Sequence, residues 1–396
     1  MSESALMNCY PRLPIAFTHG KGIWLYDKTG KRYLDSFSGL AVTALGHAHP
    51  AVTAAITSQA DKLMHISNQF VVSEQELLAE ELCKLANLHQ AFFCNSGAEA
   101  NETAIKLSRL YGLKKNINVP QIIVTEKSYH GRTLATLSAS GKRSLQVGYE
   151  PLVRGFIRVP YNDLKAIEKI LKMRQDISSI IIEPILGNAG VVVPDQDYLP
   201  AIRQLCDQHE ILLIVDEVQT GLCRTGTIFS YQSADILPDI LTLAKSLGNG
   251  IPIAACLTKT QIADLFKPGK HGSTFGGNPL SCQVALAILK FIDKTNLTAH
   301  VNKISQLLMQ SLKDSLQAID EVTAIRGKGL MIGIELNQPC ADLREAALQQ
   351  QLLINVTAKN VIRLLPALTI TEEEVDLLVK KLTTTLKNYF TTTITC

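Results

Sequence analysis

In DILTLAKSLGNGIP, Asp239 to Pro252, a lysine stands between an apolar run and a glycine-rich turn. Lys245 is chemically marked by that position, because an ammonium removed from water without a partner is costly and tends to lose its proton or react. A desolvated amine facing a carbonyl forms a Schiff base. Twenty-nine residues before it, the apolar run ILLIV is followed by Asp216-Glu217-Val218-Gln219-Thr220-Gly221. An acid just past a buried strand either caps the next turn or, in a dry cleft, holds a ring nitrogen protonated. Nearer the N-terminus, AFFC leads into NSGAEANETAIKL, where Ala100, Ala104, Leu107 and Tyr111 share one helical face. Asn95-Ser96-Gly97-Ala98 then lies at a helix N-terminus, whose free N–H groups and dipole suit a phosphate. An ordinary helix cap uses the same residue types. Neither GxGxxG nor a Walker loop accompanies it.

The elements that carry these residues can be read from periodicity. Short apolar runs (AFFC, QIIVT, SIIIE, ILLIV, ILTLA, IAACLT) alternate with helix-like segments, which predicts an α/β fold with a mostly parallel sheet covered on both faces. Ser73-Glu74-Gln75-Glu76 predicts a capping box ahead of the amphipathic LLAEELCKLA. KGIWLYDKTGKRYLDSFSG alternates apolar and polar residues about Lys28-Thr29-Gly30 and predicts a hairpin. Toward the C-terminus a helical stretch from Val284 to Ala318 precedes two strand-like runs, GLMIGIEL and NVIRLLP, and a final helix. We expect three units: an N-terminal segment over 1–50 whose hairpin packs on the small domain, a large domain over 51–290, and a smaller α+β domain over 291–396.

Open parallel sheets bind ligands beyond the carboxyl ends of their strands. A phosphate cradle, a carboxylate for a ring nitrogen and a Schiff-base lysine at successive strand ends describe one pocket for pyridoxal phosphate. Composition excludes several other classes. Lys and Arg total 39 against 36 Asp and Glu, with no basic run, so no nucleic acid is expected. The nine cysteines are scattered without C-x-x-C, which argues against a disulfide framework or zinc site. No apolar run approaches the roughly 18 residues of a membrane span, and MSESALMNCYPRLP does not resemble a signal peptide, so a cytoplasmic protein is expected. His47-Ala48-His49 has no third partner in view, and no metal is expected.

In their order, NSGAEAN, YHGRT, EPILGNAG, DEVQTG, LAKSLGNGIP and GSTFGGNPL resemble the successive motifs of the class III (ω-) aminotransferases. These are fold-type I pyridoxal-phosphate enzymes, and within them the likeness is greatest to the acetylornithine aminotransferases of arginine biosynthesis. The resemblance implies that Lys245 carries the cofactor and shuttles the proton, while Asp216 meets the pyridine nitrogen. It implies a phosphate site at Ser96, Gly97 and Ala98, stacking by Tyr129 and Val218, and Glu217 and Gln219 among the residues around the cofactor. Ser273 and Thr274 would reach the active site of a second copy, making a homodimer with shared sites. Arg132 would clamp the donor's distant carboxylate, and Arg363 the α-carboxylate of glutamate or 2-oxoglutarate.

The implied reaction moves the terminal amine of N2-acetylornithine to 2-oxoglutarate, giving N-acetylglutamate 5-semialdehyde and glutamate. Ornithine, succinylornithine, 4-aminobutyrate and succinyldiaminopimelate stay open as donors, as does an aminomutase. One departure bears on selectivity. Many relatives have Gln-Gly-Glu where this chain has Leu186-Gly187-Asn188. Their glutamate is thought to mask the second arginine, and neutral Asn188 is expected to leave Arg363 un-neutralised.

Overall fold

Lys28-Thr29-Gly30 turns the chain between β2 (Trp24–Asp27) and β3 (Arg32–Asp35), and β1 (Phe17–Lys21) pairs on the other side of β2. In the computed structural model, which describes residues 5–394, this hairpin is the first of three sheets. The middle sheet contains β4 (Gln90–Cys94), β5 (Gln121–Thr125), β6 (Phe156–Val159), β7 (Ile177–Ile182), β8 (Leu212–Asp216), β9 (Ile240–Leu243) and β10 (Ala254–Thr258). Their order across the sheet is β4-β10-β9-β8-β7-β5-β6. Only β10 runs against its neighbours.

Alternation along these strands divides the core into two layers. Ile180 and Ile182 join one apolar cluster and Ile181 the other; Leu213 and Val215 face one way, Leu212 and Ile214 the other. Side chains of successive strand residues point to opposite faces, so a continuous β-branched run serves a sheet covered on both sides. The helix Gly97–Lys114 packs against the sheet with Ala104, Ile105 and Leu107 buried. One consequence for function is that β4, β5, β7, β8 and β9 all end at the same sheet edge.

The C-terminal part adds β11 (Val322–Lys328), β12 (Met331–Leu336), β13 (Leu352–Leu353), β14 (Asn355–Thr357) and β15 (Val361–Leu364). An antiparallel sheet of order β11-β12-β15-β14 sets Arg363 of β15 opposite Gly333 on one side and Asn355 on the other. β13 instead runs parallel to β3, so residues more than 300 apart in sequence share the first sheet.

Two local expectations are corrected. The helix Ser73–Ala86 begins with Ser73 already helical and Val72 at its N-cap, with no side-chain cap. The helix thus starts one residue earlier than a Ser73–Glu76 box requires, and valine has no side-chain acceptor to cap it; Gln75 binds Asn68 and the carbonyl of Gly277. The single helix expected over Val284–Ala318 is two helices, Pro279–Thr295 and Leu297–Leu316, broken at Asn296 with φ 47°. Asparagine tolerates the left-handed conformation better than most residues, and there it ends one helix and starts the next.

Candidate active site

At the edge where those strands end lies a cavity of about 490 Å³. Its walls come from the residues after β4 (Asn95 to Ala98), β5 (Tyr129 to Arg132), β7 (Glu183), β8 (Asp216, Val218, Gln219) and β9 (Ala244, Lys245). Lys245 opens the turn Lys245–Leu247 with φ +46°. A non-glycine residue in that conformation costs about 1–2 kcal/mol, strain of a kind that persists where surrounding structure fixes a functional group. Its ammonium makes no ion pair or hydrogen bond with any described side chain. Burial, aided by the Arg363 cation, lowers its pKa to about 8 against the opposing pull of Asp216 and Glu183.

Asp216, by contrast, is fully held. Its Oδ2 accepts from Asn101 Nδ2 at 2.8 Å and meets His130 Nδ1 at 2.8 Å, while Oδ1 accepts from the Val218 N–H at 3.1 Å. Thr242 donates to Asn101 Oδ1 at 2.8 Å, and Asn101 also donates to the His130 carbonyl at 2.9 Å. Burial alone would lower the His130 pKa, but the hydrogen bond and charge of Asp216 outweigh it and the net shift is upward. His130 Nε2 is buried without a partner.

Ser96 is the N-cap of the helix Gly97–Lys114, its Oγ accepting from the Glu99 N–H at 3.3 Å. The first N–H groups of that helix have no intrahelical acceptor, by helix geometry. Gly97 is required by space: a Cβ there would stand 2.7 Å from Val218 Cγ1. The Tyr129 N–H donates to Glu183 Oε1 at 2.7 Å, and the Arg132 guanidinium lies 5.7 Å from the Tyr129 ring centre. Burial pushes the Glu183 carboxyl upward. Beside the cavity, Ser38 to Ala41 form a left-handed turn with φ of 48°, 59°, 68° and 64°, tied by Ser246 Oγ to the Ala41 carbonyl.

Of the residues expected from sequence, Ser96, Gly97, Ala98, Tyr129, Arg132, Asp216, Val218, Gln219 and Lys245 line this one cavity. Glu217 does not. Its carboxylate turns away and accepts from the N–H groups of Ser230 at 2.7 Å and Tyr231 at 2.8 Å, capping the turn Ser230–Ala234. The neighbour of an inward-facing residue points outward, so Asp216 and Glu217 serve opposite sides. Ser273 and Thr274 line a separate cavity of about 310 Å³, and Ser273 accepts from Asn95 Nδ2 at 3.1 Å. Arg363 is 2 % exposed and sits behind Gln219 rather than on the cavity wall. The sequence assigns no role to Asn101, His130, Thr242 or Asn355, although Asn101 and His130 lie inside the motifs NSGAEAN and YHGRT.

The same framework recurs in known proteins. The family described as Aminotransferase class-III matches residues 7–386. The chain belongs to the class III aminotransferases. An acetylornithine aminotransferase from Nitrosomonas europaea is 49% identical over 94% of this chain and 95% of its own. The corresponding enzyme of Aquifex aeolicus is 43% identical, over 94% and 96%. Among solved structures, an ornithine aminotransferase from Toxoplasma gondii superposes with TM-score 0.94 at 32% identity, covering 97% of this chain and 93% of that one. An acetylornithine aminotransferase from Elizabethkingia anophelis gives 0.87 at 36%, with 96% of each chain covered.

As a class III aminotransferase the chain uses pyridoxal phosphate, and its fold is that of the fold-type I enzymes. The residues present fit that cofactor: an unpaired desolvated amine suits its aldehyde, a fixed carboxylate its ring nitrogen, and a glycine-opened helix N-terminus its phosphate. A small-molecule amino donor and a keto-acid acceptor follow from the family. Among the described residues no helix is long and apolar enough to cross a membrane, and no group of three or more His, Cys, Asp or Glu side chains converges as a metal site would.

Proposed function

We propose that this enzyme takes the terminal amine of N2-acetylornithine and delivers it to 2-oxoglutarate, producing N-acetylglutamate 5-semialdehyde and glutamate. What carries the choice of donor is the 49% identity, over 94% of the chain, to an enzyme of that name. Pyridoxal phosphate supplies the electron sink for the charge that develops when a proton leaves the substrate carbon. Lys245 would hold the cofactor's aldehyde and, once free, would move that proton at its Nζ; its lowered pKa suits a base. Asp216, held by Asn101 and His130, would keep the ring nitrogen protonated. Ser96, Gly97 and Ala98 would anchor the phosphate, and Tyr129 and Val218 would bracket the ring.

Arg132 takes the donor's distant carboxylate and Arg363 the α-carboxylate of the second substrate pair. Two alternating acids need two sites, which an aminomutase would not. We also read the enzyme as a homodimer. Leu63, Met64, Phe70, Val71 and Phe275 are exposed large apolar side chains. Asn68 donates to the carbonyls of Ser273 and Gly276, drawing this apolar segment beside Ser273 and Thr274. A partner on that face would bring Thr274 to the neighbouring phosphate. The division at about residues 50 and 290, and a cytoplasmic setting, belong to the same proposal.

The test is a half-reaction titration of the holoenzyme, followed by its absorbance as each donor is added without an acceptor. N2-acetylornithine and glutamate should convert the cofactor to its amine form, with acetylornithine ahead of ornithine, succinylornithine and 4-aminobutyrate. A different preferred donor keeps the class and removes the pathway assignment.

A further inference from the structure

Arg363 is buried, and every hydrogen bond it donates goes to a neutral amide oxygen. Asn355 Oδ1 accepts from both Nε at 3.0 Å and Nη2 at 2.8 Å, the edge of a guanidinium best shaped for two-point carboxylate binding. Asn188 Oδ1 at 2.9 Å and Gln219 Oε1 at 3.1 Å share Nη1. Burial lowers the Arg363 pKa to about 10, so the cation persists at neutral pH with no carboxylate bonded to it.

This arrangement is built, not incidental. Asn355 and Thr357 are two residues apart on β14, hence on one face. Asn355 holds the guanidinium, while Thr357 Oγ1 donates to the Asn188 carbonyl at 2.7 Å and fixes the second amide. The third amide has its space reserved: a Cβ on Gly187 would overlap the Gln219 amide oxygen, and Gly187 has no left-handed backbone to explain a glycine otherwise. Gln219 alone of the three amides lines the cavity, so it stands between the cavity and the arginine.

We propose that Asn355 is a specificity-determining residue: its amide oxygen, with those of Asn188 and Gln219, forms a neutral cover on Arg363 that a substrate carboxylate displaces. The inference rests on Arg363 as the α-carboxylate site. An amide oxygen satisfies the guanidinium's donors in the dry interior, avoiding the penalty of an unpaired buried cation. A carboxylate makes the stronger, charge-assisted bond and therefore wins the exchange. A carboxylate built into the cover would instead compete with the substrate's for the cation.

The test titrates glutarate, a dicarboxylate without the reacting carbonyl, calorimetrically into holoenzyme, alongside KM values for 2-oxoglutarate and N2-acetylornithine. Asn355→Asp should weaken glutarate by about tenfold or more and raise the KM for 2-oxoglutarate relative to that for acetylornithine. Asn355→Ala, which removes the acceptor without adding charge, should not weaken glutarate. Gly187→Ala, which evicts the Gln219 amide, should tighten it. Equal weakening by Asn355→Asp and Asn355→Ala would mark a structural role and overturn the proposal. So would unchanged binding in Asn355→Asp while Arg363→Gln loses glutarate, a result that leaves the α-carboxylate site standing. If Arg363→Gln still binds glutarate as tightly as the parent, the site assignment itself falls. Should Asn355→Asp fail to fold, Gly187→Ala decides alone, since weaker or unchanged binding there contradicts the cover.

Discussion

Asp216 and Arg363 both act on the Lys245 amine, with opposite sign, and they are held on opposite plans. The carboxylate is locked by an amide, an imidazole and a backbone N–H, with Thr242 bracing the amide from behind. The guanidinium is satisfied by side-chain amides only, each a neutral acceptor that a carboxylate outbids. The difference fits what each must do. A group that serves a resident cofactor gains from rigidity, whereas a group that receives and releases substrates in turn needs bonds that can be exchanged.

The comparison is broken most severely at Lys245, whose amine both charges act on. Lys245→Ala should lower turnover by ~10³-fold or more, since it removes the base itself, and steady-state rates together with the loss of the lysine-linked cofactor absorbance check it. On the locked side, Asp216→Ala should cost on the order of 10²-fold in kcat. His130→Asn and Asn101→Ala, which loosen the carboxylate without removing it, should each cost about tenfold (roughly 1–2 kcal/mol). If they cost as little as surface substitutions, Asp216 is not held in place by them.

On the exchangeable side, Asn188→Glu would put a carboxylate against Nη1 of Arg363. Inhibition by glutamate should weaken by about tenfold, and the terminal amine should be favoured more strictly over the α-amine. Product regiochemistry and inhibition that both stay unchanged would sink the exchange argument for that amide.

Glu217→Gln should have the smallest effect on catalysis, within about twofold, because Glu217 faces away from the cavity. Its signature lies in stability. Burial, opposed by the N–H groups of Ser230 and Tyr231, raises the Glu217 pKa from 4.5 to about 7. Between those values the folded state binds more protons than the unfolded one, so this residue makes stability fall as pH rises through that window. Thermal melts from pH 4.5 to 7 should show a shallower decline in the variant; a large loss of activity would return Glu217 to the site.

Much of this was legible in the chain, and for identifiable reasons. The strands were visible because a sheet covered on both faces demands unbroken apolar runs, and the site residues followed because ligands collect where parallel strands end. Lys245 and Asp216 each stand immediately after such a run and Gly97 three positions after one, so one-dimensional order sufficed to group them. The capping box at Ser73 does not form because the helix begins one residue earlier, with Val72 at its N-cap, a boundary that local propensity does not fix. Glu217 was misread because it shares a motif with Asp216 while alternation sends it to the other side.

Sequence by itself determined which residue types could do chemistry and at which strand ends they stand, since local propensity and apolar patterning act over a few residues. Tertiary structure alone decided what surrounds each charge. Asn101 reaches Asp216 across 115 positions, and Asn188 reaches Arg363 across 175. Hydrogen bonding depends on ångström-scale separation in a dry interior, which is set by how the sheets pack and not by distance along the chain.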